Sequence, residues 1–119
     1  MIEINHRDSR PIYEQIKDGI RRLAMTGVAP PDSKIPSVRE LAGELSINPN
    51  TISRAYKELE MEGVIYSVPG RGSFVAPIEK AREKHVSDLY DNLKTTVKDL
   101  IEVGESPDKI MERMKEVLG

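Results

Sequence analysis

KIPSVRELAGELSINPNTISRAYKELEMEGVIYSVPGRGSFV, residues 34–75, decides the fold. Its pattern predicts two short helices joined by a tight turn, then a two-stranded hairpin with a basic, glycine-containing tip. Ser37 is placed to cap the first helix, and Glu40 completes a capping box by reaching back to the Ser37 N–H. Val38, Leu41, Ala42 and Leu45 then share one helical face. That helix must stop near Ser46, because Pro49 confines Asn48 to extended backbone and cannot itself sit deep in a helix. Asn48 is instead a good cap for a second helix, with Pro49 at the first position, where a missing N–H costs nothing. Ile52, Ala55, Tyr56 and Leu59 point inward, and Gly63 is placed to end the helix.

Helix, short turn, helix is the sequence form of a helix-turn-helix. The open side of its second helix carries Asn50, Thr51, Ser53, Arg54 and Lys57. These are the short polar and long cationic types that read base edges and hold phosphates. Val64 to Val68 and Ser73 to Ala76 read as strands, and Pro69-Gly70-Arg71-Gly72 supplies the turn between them. The hairpin is a candidate wing, with Arg71 at its tip placed for a minor groove or a phosphate. Fold class is therefore mainly α with a small β-hairpin, a winged helix-turn-helix whose expected partner is double-stranded DNA.

Upstream, residues 1–10 read as a polar, extended lead-in. Asp8 or Ser9 is expected to cap a helix starting near Pro11, with Ile12, Ile16, Ile20 and Leu23 at helical spacing and an end before Gly27. Lys17, Arg21 and Arg22 on its polar face are expected to be solvated. Residues 29–33 form a turn-rich connector, and Lys34-Ile35 a short strand placed to pair with the wing.

Downstream, Ala76-Pro77 marks a boundary, giving a winged domain over 1–77 and a two-helix C-terminal dimerisation tail over 78–119. Val86, Leu89, Leu93, Val97 and Leu100 recur at three- and four-residue intervals, widened by Tyr90 and Ile101. Gly104 stops this helix, and Ser106-Pro107 restarts one bearing Ile110, Met111, Met114, Val117 and Leu118 on one side. So short a tail cannot bury both stripes alone. The partner is either the winged domain or a second copy, and a homodimer is the expectation, with Val86, Leu89, Leu93, Val97, Leu100, Ile110 and Met114 at the interface. No sizeable ligand cavity is expected within the tail.

Composition excludes several classes. The chain has no cysteine, so disulfides, thiolate metal sites and cysteine nucleophiles are ruled out. No apolar run is long enough to span a membrane, and the first residues lack a signal-peptide core, so a cytoplasmic protein without membrane partners is expected. The formal net charge is −2, which is low for a DNA-binding protein. The acid excess lies in the tail, however: residues 1–78 hold ten Lys/Arg and ten Asp/Glu, and residues 79–119 eight and ten. A neutral domain with a local basic face predicts modest, salt-sensitive binding. His6 and His85 are isolated, and no metal cluster, phosphate loop or nucleophile–base set appears. Metal and cofactor are expected to be absent, and the chain makes no case for an enzyme.

The segments PIYEQI (11–16), KIPSVRELA (34–42), INPNTISRAYKELEMEGVI (47–65) and GRGSFV (70–75) together resemble the GntR family of bacterial transcription regulators, in its short YtrA-type branch. The resemblance implies a homodimer on an operator of two inverted half-sites, more often a repressor than an activator, commonly controlling neighbouring transporter genes. It also implies that Arg39 of the PSVRELA segment contacts DNA, as do Asn48, Asn50, Thr51 and Ser53 at the start of the second helix and Gly70 at the wing tip. With Ser37, Arg54, Lys57 and Arg71 these complete the expected DNA-contact set. The chain departs from the common family pattern at Pro49 and Ser53, where many members carry arginine, and at Asp32, where glycine is usual. Asp tolerates left-handed backbone better than most residues, so the turn is expected to survive. Arg54 has two readings, a guanine contact or an ion pair with Glu58 four residues on. Two other functional readings remain beside the regulator: a protein-interaction module, and a ligand sensor with a pocket between tail and winged domain. Any small-molecule effector is unknown.

Overall fold

The computed structural model describes residues 2–119. Its elements in chain order are α1 (Ile12–Met25), β1 (Lys34–Ile35), α2 (Val38–Leu45), α3 (Pro49–Met61), β2 (Ile65–Val68), β3 (Gly72–Val75), α4 (Glu79–Glu102) and α5 (Pro107–Leu118). Contacts divide the chain into two units between Arg82 and Glu83, inside α4.

In the first unit the local signals act as expected. The Ser37 hydroxyl accepts from Glu40 N at 3.0 Å while the Glu40 carboxylate accepts from Ser37 N at 3.3 Å. Ser46 closes α2 in a left-handed conformation (φ 54°). Asn48 caps α3 by accepting from Asn50 N at 2.8 Å, with Pro49 in the first turn, and Gly63 (φ 77°) follows its end. Asp32 is also left-handed (φ 66°) and accepts a 2.7 Å hydrogen bond from the Tyr66 hydroxyl, so the connector turn holds without glycine.

The sheet is antiparallel in the order β1-β3-β2, so β1 pairs with the wing, Lys34 opposite Phe74 and Ile35 opposite Ser73. The core gathers Ile16, Ile20 and Ala24 of α1, Leu41 and Ala42 of α2, Ile52, Ala55, Tyr56 and Leu59 of α3, and Val64, Ile65 and Val75 of the wing. Tyr56 is buried, and its hydroxyl donates to Pro36 O at 2.6 Å, tying α3 to the segment before α2.

Three expectations for the N-terminal region are corrected. Neither Asp8 nor Ser9 caps α1: the N-cap is Pro11, without a side-chain bond. Asp8 lies too far upstream to reach the first helical amides, and instead accepts from Arg10 N and from its guanidinium, both near 3 Å. The lead-in is not simply polar and extended: it turns over residues 6–10, Ile2 and Ile4 pack on the core, and Gln15 brackets Asn5, accepting from its N–H and donating to its carbonyl. Lys17 and Arg21 are not solvated. Lys17 is buried at 7% exposure and bonds Glu58 and Glu62, and Arg21 bonds Asp18 and Glu62. Their face of α1 packs on α3, where those carboxylates project.

In the second unit, α4 runs to Glu102, Gly104 (φ 94°) breaks it, and Ser106 caps α5 by accepting from Lys109 N. Ile110 is the one buried residue described here. Leu89, Tyr90, Leu93, Leu100, Ile101, Met111, Val117 and Leu118 are exposed. The expectation of no cavity in the tail is also corrected. Side chains at the α4–α5 corner leave a cleft of about 370 Å³ lined by Leu93, Thr96, Val97, Leu100, Glu105, Ile110, Arg113 and Met114.

Candidate nucleic-acid interface

Burial fixes which side of α3 is available. Ile52, Ala55, Tyr56 and Leu59 are buried, while Asn50, Ser53, Arg54 and Lys57 are exposed on the opposite side and Thr51 is half-buried at the edge. The cap leaves Asn48 and Asn50 at the exposed N-terminal end, where unpaired amides and the helix dipole favour an anion. Arg39, second residue of α2, is exposed. Among the described residues no carboxylate pairs with Lys34, Arg39, Lys57 or Arg71, so these four charges are available to a polyanion.

A second cluster forms at the wing. Ser37, Gly70 and Arg71 line one open groove of about 470 Å³ with Lys34, Ser67 and Ser73. Gly70 (φ 77°) makes the turn that puts Arg71 at the exposed tip, and Arg71 N closes it on Val68 O at 2.9 Å. The Lys34 side chain crosses β3 so closely that a Cβ at Gly72 would stand 3.0 Å from Lys34 Cε. Lys34 is thus a wing-base cation outside the residue set expected from the sequence. Strand alternation was the available signal, since burying Ile35 turns Lys34 outward.

Arg54 differs from the other cations. Its Nε donates to Glu58 at 3.1 Å, and its guanidinium lies 3.7 Å over the Tyr13 ring of α1. Glu58 is shared with Lys17 at 2.9 Å, and Lys17 reaches Glu62 at 2.8 Å. The hydrogen bonds from Lys17 and then Arg54 hold the Glu58 carboxyl below its usual range, against desolvation. Desolvation pushes Glu62 up and Lys17 down, but their mutual bonds prevail in both, leaving Glu62 lowered and Lys17 raised. Burial, with the charges of Glu40 and Glu44, raises Tyr56, which stays a neutral donor to Pro36. Among the described residues no group of three His, Cys, Asp or Glu is placed to hold a metal.

This arrangement defines a winged helix-turn-helix DNA-binding domain: a capped helix with an open polar face, a preceding helix bearing a free arginine, and a basic wing. The gntR family of bacterial regulatory proteins matches residues 12–75, more than half of the chain. The HTH-type transcriptional repressor YtrA of Bacillus subtilis is 41% identical over 98% of this chain and 92% of its own. A GntR family transcriptional regulator from Listeria monocytogenes superposes with a TM-score of 0.77 at 36% identity, over 92% of this chain and 96% of that one. The AraR DNA-binding domain, solved in complex with its operator ORR3, superposes with a TM-score of 0.55 at 35% identity over 62% of this chain and 89% of that one. The chain belongs to the GntR family and is a DNA-binding transcription regulator, not an enzyme. Among the described residues no helix is long and apolar enough to cross a membrane.

Proposed function

We propose that the chain is a cytoplasmic repressor that binds, as a homodimer, an operator of two inverted half-sites, and that it controls neighbouring transporter genes. Each α3 enters a major groove with the wing beside it, and occupancy blocks transcription. Ser37, Arg39, Asn48, Asn50, Thr51, Ser53, Arg54, Lys57, Gly70 and Arg71 make the DNA contacts. The observation that carries the reading is the concentration of unpaired cations, Arg39, Lys57 and Arg71, on the exposed surface of the helix-turn-helix and wing. Repression is supported by the Bacillus relative, named a repressor, and operator binding by the AraR complex.

The dimer is supported by the tail. Leu93, Val97, Leu100, Ile110 and Met114 line one apolar cleft, and Leu89 continues the stripe along α4 in exposed form. Half-buried Val86 lies one turn above Leu89. A second copy applied about a two-fold axis covers the cleft with the same residues and spaces two recognition helices about one DNA turn apart or somewhat more.

The test is a binding titration against DNA fragments from around the protein's own gene, at ~50 and ~200 mM salt. One fragment with an inverted repeat is expected to bind saturably, with affinity falling steeply as salt rises. Arg39→Ala is expected to weaken it by about 1–3 kcal/mol. Equal, weak binding to every fragment at low salt sinks the operator reading.

A further inference from the structure

We propose that Tyr13 is a positioning residue for DNA binding, and that with Glu58 it presents Arg54 as a phosphate clamp rather than a base reader. The proposal rests on the DNA-binding reading above. Its starting point is how Arg54 is held. One edge of the guanidinium, through Nε, is bonded to Glu58 at 3.1 Å, and one face lies 3.7 Å over the Tyr13 ring. The two terminal nitrogens have no acceptor among the described residues, and the side chain is 61% exposed. Four N–H donors are therefore held in a fixed plane with nothing to bond.

Three further facts decide between clamp, base reader and parked ion pair. Glu58 also accepts from Lys17, so Arg54 does not have this carboxylate to itself. A shared carboxylate and a largely exposed guanidinium argue against a fully parked arginine. Next, α1 packs on the Glu58–Glu62 side of α3, away from Lys57 and Asn50, so Tyr13 draws the guanidinium to the flank of the recognition helix. The flank of a helix lying in a groove meets the sugar-phosphate wall, whereas base edges lie under its centre. Finally, the free terminal nitrogens can meet a phosphate with both holds intact, and the position of the guanidinium on the flank, not its hydrogen-bonding capacity, is what favours phosphate over a base edge. An arginine already ordered before binding loses less side-chain freedom on contact.

Tyr13 shares the α1 face of Ile16, Ile20 and Ala24 and packs at the edge of the core, so one side of its ring is held by the core while its face meets Arg54. The ring face is what matters, so phenylalanine must serve as well as tyrosine.

The test measures affinity of the full chain for two probes, a fragment from around its own gene and a random-sequence duplex of about 30 base pairs. Arg54→Ala is expected to weaken both by the same several-fold factor and to reduce the salt slope by about 1. Tyr13→Leu is expected to weaken both by a smaller factor with the slope kept, because the charge remains but its order is lost. Tyr13→Phe is expected to match the wild type. Arg54→Lys, which keeps α1 unaltered should Tyr13→Leu fail to fold, is expected to behave as Tyr13→Leu does, because an ammonium cannot bond through Nε while lying flat. A loss confined to the gene fragment overturns the clamp in favour of base reading. Unchanged affinity in Arg54→Ala or Tyr13→Leu, or a Tyr13→Phe variant as weak as Tyr13→Leu, overturns it as well. Those results leave wild-type binding and its dependence on Arg39 in place. A wild type that binds neither probe at low salt removes the regulator reading, and this inference with it.

Discussion

The winged unit and the tail are built from the same amphipathic logic but finish differently. In the winged unit the inward residues find one another: Ile16, Ile52, Leu59, Val64 and Val75 are less than 2% exposed. Three helices and a small sheet close over them, and even the polar seam between α1 and α3 is filled with paired charge. In the tail, residues 83–119, two helices meet at a corner that buries Ile110, while Val103, Val117 and Leu118 are about 80% exposed. Two elements can cover only one side of each other. An apolar period thus specifies which face is hidden and not what hides it, and short helical units gain the rest of their cover by oligomerisation.

The sharpest way to break this contrast is to cut the same side chain from each unit. Leu59→Ala empties a fully covered site and is expected to cost about 2–5 kcal/mol, read as a large drop in the melting temperature of the winged unit. Leu93, at 37% exposure, has no such enclosure. Leu93→Asp is expected to leave the winged unit's unfolding transition in place while sedimentation falls from dimer to monomer mass. If Leu93→Asp stays dimeric, the interface lies elsewhere. If it melts the winged unit as Leu59→Ala does, the two units are not independent.

How far the sequence was legible follows the same division. Most devices that act within about four residues are readable: the Ser37–Glu40 box, the Asn48-Pro49 start of α3, the Gly63 and Gly104 stops, and the left-handed Asp32. The start of α1 is the exception, because Arg10 takes the Asp8 carboxylate and leaves Pro11 at the cap. β1 is readable too, because a two-residue strand beside a hairpin has few partners available. The other misses depend on contacts made across 40 residues. Lys17 and Arg21 look like solvated charges on a helical wheel, and only packing α1 on α3 brings them to Glu58 and Glu62. The same packing puts Tyr13 over Arg54, a contact the sequence does not show, beside the Glu58 ion pair that it does. Of the candidate site, the exposed face of α3 and the wing tip were readable from periodicity and turn chemistry. Lys34 belongs to the basic residues of the reading unit but not to the expected contact set, although a strand paired with the wing that buries Ile35 turns Lys34 outward.

The smallest effect expected is the pH dependence of the seam. Glu58 and Glu62 are held below their ordinary value of 4.5, chiefly by Lys17, with Arg54 and Arg21 assisting. A carboxyl lowered in the folded state stabilises it above its unfolded value and stops doing so as pH falls through the folded one. Lys17 is held above its ordinary 10.5, so its contribution is complete below that pH and is lost as pH rises past its folded value. The winged unit's melting temperature is therefore expected to be flat between, to decline below about pH 4.5, and to decline again above about pH 10.5. Lys17→Met exchanges a buried ammonium for an apolar side chain of similar length and leaves both carboxylates without their main partner. At neutral pH the variant is expected to be less stable by on the order of 1 kcal/mol, since Glu58 and Glu62 are partly open to solvent. As pH falls below 4.5 the two melting curves are expected to converge, because protonated carboxyls no longer distinguish ammonium from thioether except through the cost of burying the charge. A gap that stays constant down to pH 3 would show that Lys17 acts through packing alone.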